Sequence, residues 1–310
     1  MTTSAAIPAS VHPAWDGFAN AADVQGHIAQ LWVFPVKSCA GVAVDTVRLD
    51  ATGLAHDREW MVVDPQGVFL TQRSHPRMAL IRPQLLEVGA STDMVLALTA
   101  PDCERLVVQP PAEALPCLVE VWDDQVSAWD QGDAAAQWLT AFLGTPCRLV
   151  RFDRRSTRPC SRKWTGEDAA STYFSDGYPL LLATEAAGSE LAARVQAAGG
   201  PHVELLRFRA NVVLAGLEAH EEDHLAQLHI GTAAGVATLR PVKPCTRCPI
   251  PDIDPATAQR STHVSQTLAG YRADARVGGA ITFGMNAIVT QGAGLILTVG
   301  QPVAGELAFD

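Results

Sequence analysis

Cys245-Thr246-Arg247-Cys248 is the run in this sequence whose residue types and spacing could do chemistry. Two thiols so spaced can form a redox pair, supply half of a zinc site, or offer one thiolate to a soft metal whose other ligands come from a cofactor. A redox pair wants its second cysteine at the start of a helix, where the dipole lowers the thiol pKa. Pro249 and Pro251 follow instead, and Pro251 biases Ile250 away from helical geometry. A zinc site wants two more Cys or His at matching spacing. The nearest following His is the lone His263, which leaves only distant residues such as Cys39, Cys147 or Cys160. The single-thiolate reading is favoured by Arg240, Lys243 and Arg247, which raise the local potential, and by prolines that stiffen the loop. On spacing alone, a loop with two buried, inert cysteines explains the run as well.

Other polar residues have bland readings too. Lys37 and Arg58, taken singly, read as exposed charges at strand ends. Arg209 sits between Phe208 and Ala210 at the entry to an expected strand, Asn211 to Leu214, where an unpaired charge is costly and a bound anion or a carboxylate partner is expected. The run Glu218-Ala219-His220-Glu221-Glu222-Asp223-His224 offers metal-type ligands with nothing to fix their geometry, so a solvated acidic loop is expected. Cys39, beside Lys37 and Ser38, could be a thiol behind the site. Cys103, Cys117, Cys147 and Cys160 read as core or incidental residues, and Trp60 and Trp138 as core aromatics.

The chain that must position these residues has 310 of them, is 48% hydrophobic and has no low-complexity tract, which suffices for two domains. With 33 Asp plus Glu against 23 Lys plus Arg, its net charge of -10 disfavours nucleic acid or an anionic membrane as a partner. Any bound anion must therefore meet a local basic site. Met1 to Asn20 lacks a signal-peptide run, and no segment approaches the ~18 uncharged apolar residues of a membrane span. Seven dispersed cysteines do not resemble a disulfide framework, so a cytoplasmic protein with reduced thiols is expected.

Apolar alternation predicts a strand over Gly26 to Val36, stopped by proline, and a hairpin in which Glu59 to Val63 turns at Asp64-Pro65-Gln66-Gly67 and returns as Val68 to Thr71. Further strands are expected at 79–82, 94–99, 105–108 and 118–128. A helix over Asp133 to Leu143, ended by Gly144 and Pro146, should pack beneath the first sheet. The stretch from Asp153 to about 170 reads as a boundary or a mobile active-site loop. Beyond it come an apolar run from Tyr178 to Ala183, a helix from about Thr184 to Ala198, and strands at 210–215, 227–240 and 280–299. This is an α+β class, mainly β, without regular strand–helix alternation. The expected division is a tail over 1–23, a strand-rich domain over 24–152 and a β-barrel-like domain over 153–310.

Several runs together resemble one family. Leu31-Trp32-Val33-Phe34-Pro35-Val36-Lys37-Ser38-Cys39-Ala40-Gly41-Val42 looks like the opening motif of the MOSC N-terminal domain. Lys243-Pro244-Cys245-Thr246-Arg247-Cys248, followed by Asp252-Ile253-Asp254-Pro255, resembles the signature of the MOSC domain itself. Asp57-Arg58-Glu59-Trp60, Ser175-Asp176-Gly177-Tyr178-Pro179, Arg207-Phe208-Arg209-Ala210-Asn211, Tyr271-Arg272 and Phe283-Gly284-Met285-Asn286 appear between and around them in the family's order.

Within that family the chain is most similar to the mitochondrial amidoxime-reducing component and its bacterial molybdenum-cofactor relatives. The resemblance implies molybdenum held by the dithiolene of one molybdopterin and by one protein cysteine, here Cys248, which would be both metal ligand and catalytic residue. It implies cofactor contacts from Lys37, Ser38, Arg58, Gly177, Tyr178, Arg209, Thr246, Arg247 and Asn286, and no pyridoxal phosphate site. The implied activity is two-electron reduction of small N-hydroxylated substrates (amidoximes, N-hydroxylamines, N-oxides). Electrons would come from a separate ferredoxin or flavin-reductase type donor, because the chain has no Cys-x4-Cys-x2-Cys segment for a fused plant-type ferredoxin domain. No membrane anchor is expected. Pro249-Ile250-Pro251-Asp252 stands where relatives more often have apolar residues then Thr, which would reshape the substrate mouth. A second branch of the family implies a different role, a non-catalytic carrier of molybdenum cofactor or of sulfur, as in the sulfurases.

Overall fold

The computed structural model describes residues 11–87, 94–109 and 115–308, so the first ten residues of the expected tail lie outside the described residues. The fold is mainly β with few helices, and seven strands close a barrel. Around it the order is Leu180–Thr184, Val212–Ala215, Val24–Val33, Pro302–Leu307, Leu225–Thr232, Gly235–Thr246 and Ala280–Gln291, which returns to Leu180–Thr184. Every strand sends alternate apolar residues into one buried cluster, among them Ile28, Leu182, Leu214, Leu228, Leu239, Ala287 and Val303. That period of two is what a sheet closed on its own core demands. The pairing of Leu180–Thr184 with Val212–Ala215 is parallel and needs a crossover, which helix Glu185–Ala197 supplies. Its N-cap is Thr184, whose Oγ1 accepts from the amide of Ala187 at 3.2 Å.

The second sheet pairs Trp60–Val63, Arg148–Phe152, Asp124–Asp130 and Leu115–Val121, all antiparallel. Helix Asp133–Leu143 forms where expected, burying Ala135, Leu139 and Phe142 against Trp60, Val62 and Leu149 of that sheet, and Gly144 at φ 72° ends it. The sheets do not follow chain order. Val24–Val33 precedes residue 152, yet it hydrogen-bonds on both sides to barrel strands of the second half, and Thr46–Asp50 pairs with Ile296–Thr298.

Two expected strands are each a pair. The 118–128 run turns at Trp122-Asp123, and the 227–240 run turns between Thr232 and Gly235 at Ala233-Ala234. Neither inner pair carries the Gly or Pro that marks a turn in sequence. The charged stretch after residue 153 is anchored by Arg158, 5% exposed, whose Nε donates to Asp124 at 2.8 Å and whose Nη1 donates to the carbonyl of Tyr173 at 3.0 Å.

The acidic run 218–224 is not a solvated loop. Glu222 is 0% exposed and Asp223 8%. Thr184 Oγ1 donates to Glu222 Oε2 at 3.0 Å, and Arg272 Nη2 donates to Asp223 Oδ2 at 2.5 Å. A buried cation that arrives from 49 residues away offsets the charge, a pairing no local pattern displays. Burial, and then the Asp223 carboxylate, push Glu222 up to about 7.

In strand Ala280–Gln291, Gly284 sits at φ +73° within an irregular stretch of the pairing with Gly235–Thr246. A Cβ there would lie 2.5 Å from the backbone oxygen of Leu182, across the seam that closes the barrel. Gly284→Ala is expected to cost about 2–4 kcal/mol in denaturant unfolding, through strain and a displaced seam. For Glu222, a folded-state pKa above its ordinary 4.5 means that its contribution to stability is complete below pH 4.5 and lost as pH rises through about 7. Glu222→Gln removes that titration. Its stability relative to the parent, followed by urea melts, is expected to grow by roughly 3 kcal/mol between pH 5 and 8, and a difference that stays flat with pH would refute the assignment.

Candidate functional site

A cleft of about 380 Å³ opens where the barrel meets the second sheet. Lys37, Ser38, Arg58, Gly177, Tyr178, Arg209, Thr246, Arg247, Cys248 and Asn286 all line it. Thus ten residues expected from six separate runs lie around one space.

Behind two of its arginines stands Phe34, just past the first barrel strand. The guanidinium of Arg58 lies 4.4 Å from the centre of the Phe34 ring and that of Arg209 lies 4.3 Å from it. Gly41 makes the ring's position possible, since a Cβ there would come within 2.5 Å of it. Arg58 Nη1 donates to Asp57 Oδ2 at 2.5 Å and to Asn211 Oδ1 at 3.0 Å, while its Nη2 donates to the carbonyl of Arg209 at 3.1 Å. Arg209 Nη1 donates to the carbonyl of Cys39 at 2.5 Å, and its Nη2 is buried with no hydrogen-bond partner. Burial, and then the neighbouring Arg58, pull the Arg209 guanidinium down to about 9, so it stays charged at neutral pH, with Asp57 and Asp176 acting on it through space and not as direct ion-pair partners. Lys37 is 5% exposed and donates to the carbonyl of Phe174 at 2.8 Å and to Asp176 Oδ1 at 2.5 Å. Burial lowers its ammonium pKa against the pull of Asp176. Neither Lys37 nor Arg58 is a solvated strand-end charge.

Ser38, Arg58, Trp122 and Arg209 all line the cleft at positive φ, of 64°, 47°, 57° and 60°. They are four of the eight non-glycine residues in that region among the described residues, and such strain gathers where the surroundings over-determine a geometry.

The cysteine loop begins where strand Gly235–Thr246 ends. The amide of Arg247 donates to Ile281 at 2.8 Å, and its guanidinium donates to the carbonyls of Phe283 and Phe208, so its N–H groups staple the loop to the floor. Cys248 follows, half-buried, and Ile250–Asp252 makes one 3-10 turn. Pro251 therefore does not keep Ile250 out of helical geometry. A proline in a first turn lacks only an amide that would be unpaired anyway. The turn stops at Ile253, and the next α-helix starts at His263, so Cys248 heads no α-helix. Cys245 is half-buried, and burial raises its thiol pKa. Burial also pushes the Cys39 thiol up to about 12, an inert group behind the floor. Among the described residues no cluster of three or more His, Cys, Asp or Glu is arranged to hold a metal ion by protein ligands alone.

Gly177 leaves part of the wall bare, since a Cβ there would meet nothing within 4 Å. Tyr178 packs with Cys160 and Ile288, and burial pushes its phenol up to about 12. Asn286 Nδ2 donates to the carbonyl of Lys243 at 3.2 Å and Thr246 is exposed. The cleft also takes in Asp176, Arg207 and Lys243, which stand in the same runs as the expected residues, and Thr71, Arg73 and Trp122, which no pattern flagged. Arg207, 7% exposed, donates to Asp254 Oδ2 at 2.8 Å and so ties down the far side of the cysteine loop.

In charge, seven cations (Lys37, Arg58, Arg73, Arg207, Arg209, Lys243 and Arg247) face one carboxylate, Asp176. On a chain of net charge -10, such a local excess of cations is suited to an anion. The orphaned Arg209 Nη2, the bare wall at Gly177 and a thiol at the rim suit a polar, multiply anionic group that also takes a sulfur ligand.

Comparison with known proteins bears on the family of the chain. Residues 25–146 match the MOSC N-terminal beta barrel domain and residues 170–304 match the MOSC domain. Mitochondrial amidoxime-reducing component 1 of Mus musculus is 32% identical over 263 residues, 80% of this chain and 72% of that protein; its Homo sapiens counterpart is 33% identical over the same shares of both chains. Molybdenum cofactor sulfurase of Homo sapiens is 30% identical over 79% of this chain but only 28% of its own length. Among solved structures, the YUAD protein from Bacillus subtilis aligns over 92% of this chain and 97% of its own at a TM-score of 0.42 and 12% identity. Two domain matches in order, around the cleft they build, make this chain a member of the MOSC family.

Proposed function

We propose that the protein is a molybdenum-cofactor oxidoreductase that reduces N-hydroxylated compounds, with Cys248 as the protein's ligand to the metal. The observation that carries the reading is the convergence of Cys248 with nine other expected contacts on one cation-rich cleft. Lys37, Ser38, Arg58 and Arg209 would hold the phosphate and pterin, Gly177 would let them approach the backbone, and Arg247 would hold the cysteine loop in register. When bound, the cofactor supplies two-electron reductive removal of oxygen from an N–O group, with two protons consumed and water released. The chain's own part is to orient substrate against the metal and keep the cofactor fixed. Electrons would come from a separate ferredoxin or flavin-reductase type protein. Relatives named for amidoxime reduction support this choice among redox chemistries. Among the described residues no helix is long and apolar enough to cross a membrane.

A carrier of cofactor or of sulfur is the second reading, favoured by the match to molybdenum cofactor sulfurase. Protein made in a host that synthesises the cofactor is expected to hold stoichiometric molybdenum and pterin and to convert benzamidoxime to benzamidine with an artificial reductant. Cys248→Ala should lose at least ~100-fold of that activity together with its molybdenum, since even outer-shell changes at metal sites cost 10–100-fold. Molybdenum fully retained in the variant would remove Cys248 as ligand. A loaded protein inert to amidoximes, N-hydroxylamines and N-oxides would favour the carrier.

A further inference from the structure

The cleft rim holds a charge arrangement that the proposed cofactor contacts do not use. Arg73 lies with its guanidinium 4.4 Å from the centre of the Trp122 ring, and Thr71 Oγ1 accepts from its Nε at 3.5 Å. Among the described residues it pairs with no carboxylate. Trp122 is fixed in turn. Its ring meets Phe69 at 5.2 Å, its backbone is left-handed, and its Nε1 donates to Asp176 Oδ1 at 3.2 Å, the same oxygen that Lys37 holds. The one carboxylate lining the cleft is thereby engaged from two sides, and nothing at the rim offsets Arg73. A guanidinium stacked on an aromatic ring keeps its planar fork of N–H groups available and loses little freedom when it binds, which favours a carboxylate over any cation.

Resting on the oxidoreductase reading, we infer that the Arg73–Trp122 pair is a specificity element that selects N-hydroxylated substrates bearing an anionic group, a carboxylate above all, and rejects cationic ones. Arg73 makes the contact and Trp122 is a positioning residue for it. The preference lies in binding, so it is readable without turnover.

The test is calorimetry on cofactor-loaded protein without reductant, using benzamidoxime and its 4-carboxy and 4-trimethylammonio derivatives. The 4-carboxy ring is expected to bind at least ~10-fold more tightly than the 4-trimethylammonio ring, with the uncharged ring between them, and added salt should shrink the gap. Arg73→Gln should bring the ratio below ~3-fold, whereas Arg73→Lys should keep most of it because the charge remains. Equal affinities for the two charged rings, no binding of any of the three, or a preference that survives Arg73→Gln would each overturn the inference. Selective binding with no turnover once reductant is added would overturn the activity reading and leave the selectivity intact; turnover without selectivity would do the opposite.

Discussion

Two guanidinium groups, Arg58 and Arg209, are held against a single phenyl ring, and much of the site serves that arrangement. Like charges in a partly buried place repel more strongly than in water, so they need opposing dipoles and shape to stay together. Asp57, Asn211 and the carbonyls of Cys39 and Arg209 supply the dipoles. Gly41 supplies the space for the ring, and the left-handed backbones at positions 58 and 209 supply the direction. The demand is left unfinished at Arg209 Nη2, and an anion would complete it. The strain of the floor and the affinity of the cleft thus have one origin.

That arrangement also explains why the two sheets share a site. Arg58 comes from the crossing that leads to Trp60–Val63 in the second sheet, while Arg209 and Cys248 sit at strand ends of the barrel. The Arg58 bonds to Asn211 and to the carbonyl of Arg209 are therefore bonds between layers. Arg207, through Asp254, and Arg247, through Phe283 and Phe208, hold the cysteine loop from two sides. Arginine, with five N–H groups in a rigid fork, can tie backbone carbonyls together while staying positive.

Sequence patterns revealed those parts of the fold that rest on local physics. Helix Asp133–Leu143 was legible because its apolar stripe and its glycine stop lie within a dozen residues, and the Pro-x-Gly turn announces itself. The barrel's membership was not legible, because which strand neighbours Val24–Val33 depends on closure across the whole chain. The cleft was legible through resemblance in runs such as 245–248 and 207–211. Arg73 and Trp122 escaped because an arginine stacked on a tryptophan brought in from another turn leaves no spacing to find. Glu222 was misjudged for a related reason, since charge in a run looks solvated until the distant Arg272 is known to cover its neighbour.

The place of Val24–Val33 between Val212–Ala215 and Pro302–Leu307 carries a consequence for how the chain reaches its native state. Its two barrel partners lie more than half the chain away, so pairing them means closing very large loops, and only the short strand Val42–Val44, paired with residues 31–33, is local. Residues 24–30 of the strand have no partner close in sequence and wait for Val212–Ala215 and Pro302–Leu307 to be made. Its apolar side chains and unpaired amides are then a template for the wrong neighbour. The barrel is therefore a late, slow event, and the second sheet with its local hairpins and its helix is the part that can form while the first strand waits.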